Sequence, residues 1–295
     1  MNVASGPAEP LSVLITGATG NWGGALARIL LRKGHRVRAL SRRTDSPAAQ
    51  ELRNIGAEIA VGDFEDVPSL TRATQGMDAV FLVTIFYEAG TEGETRHGVN
   101  MTDVAEAAGV EHLVYSSVSD ADRNTGIPHF ESKFRVETYI QDRGIPYTIV
   151  APVFLMENLL TLHLPALREG AFAMAMPGDR SLQHVALEDV AEFEALILEN
   201  RAQFLGKRFN VASDALTGDQ VAEILSQVSG QEIGFSQVPM EQIIREWGED
   251  SNLMYEWFDR GGYSANIPAL RRDYPEVGWH TFEEWAKSQD WSVLQ

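Results

Sequence analysis

The chain has 295 residues, of which 44% are hydrophobic and 22% charged, so it can bury a sizeable core as one large domain or as one domain with an appended lobe. Its 24 Lys and Arg residues against 42 Asp and Glu give a net charge of -18, which argues against nucleic-acid binding as the main activity. There is no cysteine, which excludes disulfides, thiolate metal sites and a cysteine nucleophile, and is compatible with a reducing cytoplasm.

The amino-terminal stretch, residues 1–10, has neither a basic start nor an apolar centre. It is therefore predicted to be a short disordered lead rather than a signal peptide. No apolar run approaches the roughly 18 residues of a membrane span. We expect a cytoplasmic protein that has no membrane partner.

A strand, a glycine loop and a helix follow in that order. Ser12 to Thr16 reads as a buried strand, and Trp22 to Lys33 carries apolar residues at helical spacing. Between them, Gly17 permits a sharp turn, Gly20 lets the backbone approach a pyrophosphate, and Gly23 lets the helix lie close to its strand. The alternative is a tight turn whose glycines serve packing alone. The context favours a dinucleotide site, with these contact residues in the loop: Gly17, Thr19, Gly20, Asn21, Trp22 and Gly23.

The second strand, His35 to Leu40, leads into Ser41, Arg42 and Arg43, where an NAD enzyme usually presents an acidic residue. Two guanidinium groups suit a 2′-phosphate, which accepts paired charge-assisted hydrogen bonds. The sequence therefore favours NADP(H) over NAD(H) as cofactor. The alternative is that both arginines are ordinary solvated surface charges.

Strands continue to alternate with helices, with strands predicted at Ala57–Val61, Asp78–Thr84, His112–Ser117 and Tyr147–Val150. This alternation predicts an α/β fold, a doubly wound parallel sheet of the Rossmann type over residues 11–151. Asp63 and Phe64 follow the third strand at a position that suits an adenine contact. Asp63 is equally a cap or turn residue ahead of a helix at Val67–Ala73.

Residues 152–295 are predicted to form a smaller, mostly helical lobe that carries substrate specificity, with some carboxyl-terminal segments returning to the sheet. Helices are expected at Asp189–Glu199 and Gln220–Val228, and a short strand at Phe209–Ala212. An aromatic cluster in this lobe is expected to be a local core rather than a substrate cage. Its members are Trp247, Tyr255, Trp257, Phe258, Tyr263, Trp279, Phe282 and Trp285.

The chemistry is expected near the carboxyl ends of the fourth, fifth and sixth strands. His129 and Lys133 are four residues apart, so they share one face of a helix. The cofactor contacts predicted in this region are Thr84, Pro152 and Phe154, and the predicted substrate contacts are Phe86, Tyr87, Met156 and Asn158. Asn158 is alternatively a cap for a helix at Leu159–Leu167. The histidines do not pair with carboxylates at ligand spacing, so no metal site is predicted.

Six segments together resemble the NmrA-like group of atypical short-chain dehydrogenases/reductases: ITGATGNWGG, LSRR, GDFED, YSSVSDAD, PHFESKFRVE and APVFLMENLL. The resemblance spans roughly residues 12–285, with Leu155 where a phenylalanine is more usual. It implies that Lys133 holds the cofactor ribose and that Ser117 lies at the serine position of classical members. His129 stands where those members carry the catalytic tyrosine, so the resemblance makes Lys133, His129 and Ser117 the candidate catalytic residues.

The resemblance implies two functions of different class. The group contains NADPH-dependent reductases of quinones, dyes and aromatic compounds, in which hydride passes to a small organic acceptor and His129, Lys133 or an ordered water supplies the proton. It also contains NADP(H)-sensing regulators with little turnover, which act through a protein partner. The enzyme hypothesis is favoured, and a homodimer is one option for assembly. In the alternative interpretation, His129 and Lys133 are solvated helix residues.

Overall fold

The computed structural model describes residues 9–294, so residues 1–8 of the predicted lead lie outside the described residues. The chain forms two compact units whose segments interleave along the sequence. The first unit contains the described residues up to Ser117, then Ser132–Val150 and Ala191–Arg208. The second contains Val118–Glu131, Ala151–Val190 and the described residues from Phe209 onward.

Twelve strands are described within residues 9–294. Their bounds are β1 Ser12–Ile15, β2 Arg36–Ser41, β3 Glu58–Val61, β4 Ala79–Val83, β5 His112–Ser116, β6 Tyr147–Pro152, β7 Phe154–Leu155, β8 Ala171–Met174, β9 Ser181–Val185, β10 Lys207–Val211, β11 Asp214–Thr217 and β12 Gly234–Gln237.

The same part of the chain contains twelve α-helices and several short 3₁₀ turns. The helix bounds are α1 Asn21–Arg32, α2 Pro47–Asn54, α3 Val67–Thr74, α4 Gly90–Ala107, α5 Pro128–Arg143, α6 Leu164–Arg168, α7 Leu187–Glu199, α8 Arg201–Phe204, α9 Gly218–Ser229, α10 Met240–Asp259, α11 Ile267–Asp273 and α12 Phe282–Ser288.

The main sheet has seven strands in the order β10, β6, β5, β4, β1, β2, β3. The pairs that join β1 to β6 run parallel, with Val13 opposite Val37 on one side and Ala79 on the other. The predicted doubly wound α/β fold is confirmed. Since β1 is flanked by β2 and β4, the strand order reverses between β1 and β4, which is where ligands bind in open sheets of this kind.

Apolar burial explains why the first unit's strands and helices form where they do. Val13, Leu14 and Ile15 are fully buried, as expected for a strand covered on both faces. Helix α1 buries one stripe that includes Leu26 and Leu30. The predicted strands and helices of this unit all occur, with ends displaced by one or two residues.

The second unit contains two small sheets that the sequence did not predict, besides its helices. One has three strands in the order β11, β9, β7, and the other pairs β12 with β8. Helix α9 begins with a capping box between Thr217 and Gln220 and ends at Gly230, which has a positive φ. The core of this unit includes four aromatic side chains of the predicted cluster, namely Tyr255, Phe258, Phe282 and Trp285.

The predicted helix at Leu159–Leu167 is wrong. A 3₁₀ turn covers Met156–Leu160, and α6 begins only at Leu164. The backbone of Thr161, with φ -130 and ψ -82, breaks the run between them. Pro165 in the first turn of α6 explains the restart, because its ring suits a helix start and disrupts a helix interior.

Within residues 9–294 no helix combines the length and apolar character that a membrane crossing requires.

Candidate functional site

The glycine loop of the first unit is packed too closely for side chains at two positions. Gly17 has φ +62, and a Cβ atom there would lie 2.7 Å from Cγ1 of Val83 at the end of β4. A Cβ on Gly23 would lie 2.6 Å from the carbonyl oxygen of Thr16. Both distances are far below van der Waals contact, so these residues must be glycine.

The amino terminus of α1 is shaped for an anion. Gly20 is the residue before the helix and has no side chain to accept from the first-turn N–H groups. The first turn, from Asn21 to Gly24, contains no acidic residue, and the helix dipole adds partial positive charge there. Gly20 and Asn21 are exposed, while Thr19 is partly buried. The loop therefore fits the pyrophosphate of a dinucleotide.

The indole N–H of Trp22, at the start of α1, is hydrogen-bonded to a buried carboxyl group on α7. The Nε1 atom donates to Oε1 of Glu194 on α7 at 3.0 Å. Glu194 is fully buried, and this burial raises the pKa of its carboxyl group well above the usual range. The indole of this predicted cofactor contact thus anchors the start of α1, and no local sequence pattern indicates Glu194 as its partner.

Arg42 and Arg43 both carry exposed guanidinium groups at the end of β2. Arg42 donates to the two carboxylate oxygens of Glu88 at 2.7 and 2.9 Å. The Glu88 carboxylate raises the pKa of Arg42. Arg43 contacts Asp45 at 3.4 Å. Since both side chains are more than 60% exposed, these ion pairs are weak and open to exchange with another anion.

Asp63 adopts the turn role that was one of its two predicted alternatives. Its Oδ1 accepts a hydrogen bond from the N–H of Glu65 at 2.9 Å, while Asp66 is the residue that precedes α3. Phe64 stacks on the ring of His97 at 5.1 Å between centroids. The adenine contact predicted for this pair stays a prediction.

The central polar cluster of the first unit is formed by Lys133, Glu94, Thr84 and Ser132. The Lys133 ammonium lies 2.9 Å from Oε1 of Glu94 and 2.9 Å from the carbonyl oxygen of Thr84. Ser132 donates to Oε2 of Glu94 at 2.5 Å, and the Thr84 hydroxyl donates to Oε1 at 3.3 Å. Glu94 is fully buried, whereas Lys133 retains 13% exposure. The alternative of a solvated Lys133 therefore does not describe this structure.

Tyr115, near the carboxyl end of β5, lies next to this cluster. Its hydroxyl is 3.3 Å from Oγ1 of Thr84, and the Lys133 ammonium is 6.0 Å from the ring centroid. Burial raises the pKa of Tyr115 well above its ordinary value. The sequence interpretation missed Tyr115, Glu94 and Ser132, because no local spacing connects α4, α5 and β5.

Ser117, which follows β5, belongs to a second group around Glu137, and Glu137 lies one helical turn after Lys133 on α5. The Ser117 hydroxyl donates to Oε1 of Glu137, which is fully buried. Glu137 also accepts from Arg208 Nε at 2.7 Å. The structure therefore places the candidate Ser117 with Glu137 and Arg208, in hydrogen bonds that do not include Lys133.

Two of the predicted substrate contacts follow β4 in the first unit. The rings of Phe86 and Tyr87 lie 4.2 Å apart, and Tyr87 is 75% exposed. Their positions after β4 place them on the same segment as Thr84. Phe86 is partly buried and Tyr87 is exposed, so the pair presents one aromatic face to solvent after the strand end.

His129 lies in the second unit and is oriented by an acidic residue of α10. Its Nδ1 atom hydrogen-bonds to Oδ1 of Asp250, and its backbone N–H donates to Oδ2 of the same carboxylate at 2.9 Å. The carboxylate accepts from Nδ1, so it fixes both the tautomer and the ring orientation. Gly248, at φ +84 and ψ 179, kinks α10 two residues before Asp250. With 13% of its side chain exposed, His129 does not simply face solvent.

The remaining predicted contacts lie on the segment after β6 in the second unit. Pro152 accepts from the N–H of Ser119 at 2.9 Å. Phe154 and Met156 belong to the buried core of the unit, where Met156 has no exposed surface. The carbonyl oxygen of Asn158 accepts from the N–H of His163 at 3.0 Å, and α6 has no side-chain cap. The cap role proposed for Asn158 is therefore wrong, since its helix does not form.

Two buried histidines flank Phe154 in the second unit. Its ring centroid is 5.7 Å from that of His163 and 5.5 Å from that of His184. Burial lowers the pKa of each histidine to about 4. Both are neutral at pH 7 and belong to the core. Among residues 9–294 no group of three or more His, Asp or Glu side chains is arranged to hold a metal ion.

The model of the NmrA-like family matches residues 11–286 of this chain. A reductase from Streptomyces griseus, the (4-alkanoyl-5-oxo-2,5-dihydrofuran-3-yl)methyl phosphate reductase, is 32% identical over 231 residues, which cover 78% of each chain.

Two solved structures share the fold over nearly their whole length. An NADPH-dependent quinone oxidoreductase from Escherichia coli, complexed with NADPH, has a TM-score of 0.77 and 25% identity, covering 93% of this chain and 98% of its own. The negative transcriptional regulator NmrA, in complex with NADP, has a TM-score of 0.79 and 22% identity, covering 95% of each chain.

Proposed function

The chain belongs to the NmrA-like family, and from that membership we propose that it is an NAD(P)H-dependent reductase of small organic acceptors. One observation carries the proposal. The Lys133 ammonium donates a hydrogen bond to the carbonyl of Thr84, the residue after Val83. Val83 packs so near the glycine loop that a Cβ added to Gly17 would lie 2.7 Å from its Cγ1. A cation is thus fixed beside the loop at the point where the strand order reverses.

Lys133 is proposed to hold the ribose of the cofactor. An ammonium group has three N–H donors, and among residues 9–294 the structure shows two partners for this one. The third donor is available for a ribose hydroxyl. The first-turn N–H groups of α1 are proposed to hold the pyrophosphate, with Asp63 and Phe64 beside the adenine.

NADP(H) is the proposed cofactor, in preference to NAD(H). Arg42 and Arg43 are exposed at the end of β2, and each pairs with only one acidic side chain in the contacts described above. A 2′-phosphate carries more charge than one carboxylate and accepts bidentate bonds from guanidinium. It is therefore expected to displace Glu88 from Arg42.

When bound, the dinucleotide supplies hydride to the acceptor, and reduction of a quinone or carbonyl also consumes one proton. His129 is the proposed proton source, because the Asp250 carboxylate fixes its tautomer. A quinone requires only a weakly positioned acid, so the lack of a tyrosine at position 129 does not exclude this reaction. Quinones, carbonyls and conjugated aromatic compounds are the proposed acceptors, with Phe86 and Tyr87 as the proposed stacking surface.

A non-catalytic NADP(H) sensor is the second candidate. Its support is the histidine at the position of the classical tyrosine, together with the fold shared with a transcriptional regulator. In this case the same loop binds the dinucleotide, and the oxidation state of that ligand changes the affinity for a protein partner.

Purified protein mixed with NADPH or NADH and a panel of quinones, azo dyes and conjugated aldehydes separates the two candidates. The reductase predicts loss of NADPH absorbance with at least one acceptor, and a much slower loss with Lys133→Met. Tight NADPH binding without turnover on any acceptor contradicts the reductase and supports the sensor. Failure to bind either dinucleotide contradicts both.

A further inference from the structure

Glu94 is a buried carboxylate to which the resemblance assigns no role. It lies in the first turns of α4 and has no exposed surface. Burial of a carboxylate is costly unless it is paired and hydrogen-bonded, and here Lys133, Thr84 and Ser132 all donate to it. Because burying the Glu94 carboxylate costs desolvation free energy, we looked for a function that requires its charge.

The Lys133–Glu94 pair lies near the glycine loop. Lys133 donates a hydrogen bond to the backbone carbonyl of Thr84 at the carboxyl end of β4, and the loop follows the carboxyl end of β1. These neighbouring strands form the reversal point of the sheet. Lys133 is partly exposed and Glu94 lies buried behind it, so a ligand beside the loop meets the ammonium first.

The two oxidation states of a nicotinamide ring differ in charge. The oxidised ring carries a positive charge and the reduced ring is neutral. An uncompensated ammonium beside the ring disfavours the oxidised form, whereas an ion pair of net charge zero does not. At an effective dielectric constant of about 20, one unit charge acting across about 10 Å changes a binding constant roughly tenfold.

We propose that Glu94 sets the relative affinity of this protein for oxidised and reduced dinucleotide by neutralising Lys133. Glu94 is a specificity-determining residue that acts through Lys133 rather than by touching the ligand. This inference rests on the proposed dinucleotide site of the first unit. It applies to a reductase, which must release the oxidised product, and to a sensor, which must distinguish the two forms.

The test is the ratio of the dissociation constants for NADP⁺ and NADPH, measured by calorimetry at pH 8 without an acceptor. In Glu94→Gln the ratio is expected to rise about tenfold, because Lys133 is left uncompensated. The double variant Glu94→Gln/Lys133→Gln has no net charge at this place and is expected to return to the wild-type ratio. Ser132→Ala is the matched control, since it removes a hydrogen bond from Glu94 without changing any charge.

An unchanged or lower ratio in Glu94→Gln overturns the proposal, as does an equal rise in Ser132→Ala. If Glu94→Gln does not fold, the double variant is compared with Lys133→Gln, which leaves Glu94 unpaired. The double variant must then have the higher ratio, and equal ratios overturn the proposal. A wild-type protein that binds neither form removes the proposed function as well, so the two failures are distinguishable.

Discussion

The indole Nε1 of Trp22 lies 3.0 Å from a carboxylate oxygen of Glu194, although 172 residues separate them in sequence. Burial raises the pKa of Glu194 well above its unfolded value, so the folded state favours the protonated carboxyl. This contribution to stability is present below the unfolded pKa of about 4.5 and is lost as pH rises through the folded pKa.

Glu194→Gln is therefore expected to make stability less dependent on pH. The amide keeps an acceptor for Trp22 and cannot ionise, so the variant should exceed the wild type by about 1 kcal/mol or more at pH 8. Urea unfolding at pH 5 and pH 8 measures the difference. A variant that is less stable than the wild type at both pH values would contradict this prediction.

Arg42→Gln tests the cofactor preference. Loss of a bidentate guanidinium contact with the 2′-phosphate should weaken NADPH binding by roughly tenfold or more and leave NADH binding almost unchanged. Glu88→Gln should have the opposite effect, because it releases Arg42 from its present partner. Calorimetric titration with both dinucleotides gives the comparison. Equal weakening of NADH and NADPH by Arg42→Gln contradicts the phosphate role.

Gly23→Ala tests the packing of the glycine loop. The added Cβ would lie 2.6 Å from the Thr16 carbonyl and 2.7 Å from that of Gly17, and both are backbone atoms that cannot turn aside. A loss of about 1–3 kcal/mol in unfolding free energy is expected, together with weaker dinucleotide binding. Gly234→Ala is the control, since no atom lies within 4 Å of its added Cβ. Wild-type affinity in Gly23→Ala would mean that the loop is not the binding site.

Asp250→Asn tests the proton source. An amide at position 250 does not fix the tautomer and ring orientation of His129 as the carboxylate does. Turnover with a carbonyl acceptor should therefore fall roughly tenfold to hundredfold, while the KM for NADPH is unchanged. Asp189 binds His280 in the same way, through the backbone N–H at 2.9 Å and Nδ1 at 2.5 Å. Asp189→Asn is thus a matched control, expected to reduce stability and not turnover. Equal turnover in wild type and Asp250→Asn removes His129 from the chemistry.

His184→Leu tests the acid sensitivity of the second unit. The folded pKa of His184 is about 4, below an unfolded value of about 6.5, so its contribution is present above pH 6.5 and is lost as pH falls toward 4. The difference of about 2.5 pH units corresponds to about 3 kcal/mol. The variant should lose less stability than the wild type between pH 7 and pH 4.5. Parallel losses in the two proteins would assign the acid sensitivity to other groups.

Local signals were sufficient to predict the parallel sheet and its flanking helices. Gly17, Gly20 and Gly23 fall in a single stretch of seven residues that joins a strand to a helix. That short stretch is enough to show which backbone positions need glycine. The fold class and the family were predicted from such segments and are confirmed. The small sheets were missed because strands of four residues, such as β11, carry too little periodicity to recognise.

The partners of the candidate residues could not be predicted from sequence. Glu94 is 38 residues from Ser132, and Asp250 is 121 residues from His129. Such pairs are created by tertiary packing, and a lone acidic residue on a helix has the same local pattern whether it is buried or solvated. The roles of Lys133 and His129 were suggested by the family motif, and their chemical surroundings came only from the structure.

The first unit is assembled from three separate stretches of the chain, and the last of them, Ala191–Arg208, contributes Glu194 and Arg208. A fragment that ends near residue 150 would therefore leave the Trp22 indole and the Glu137 carboxylate without these partners. Such a unit cannot be excised, duplicated or exchanged between proteins as one continuous piece of gene. Any recombination that preserves it must also carry the intervening segments of the second unit.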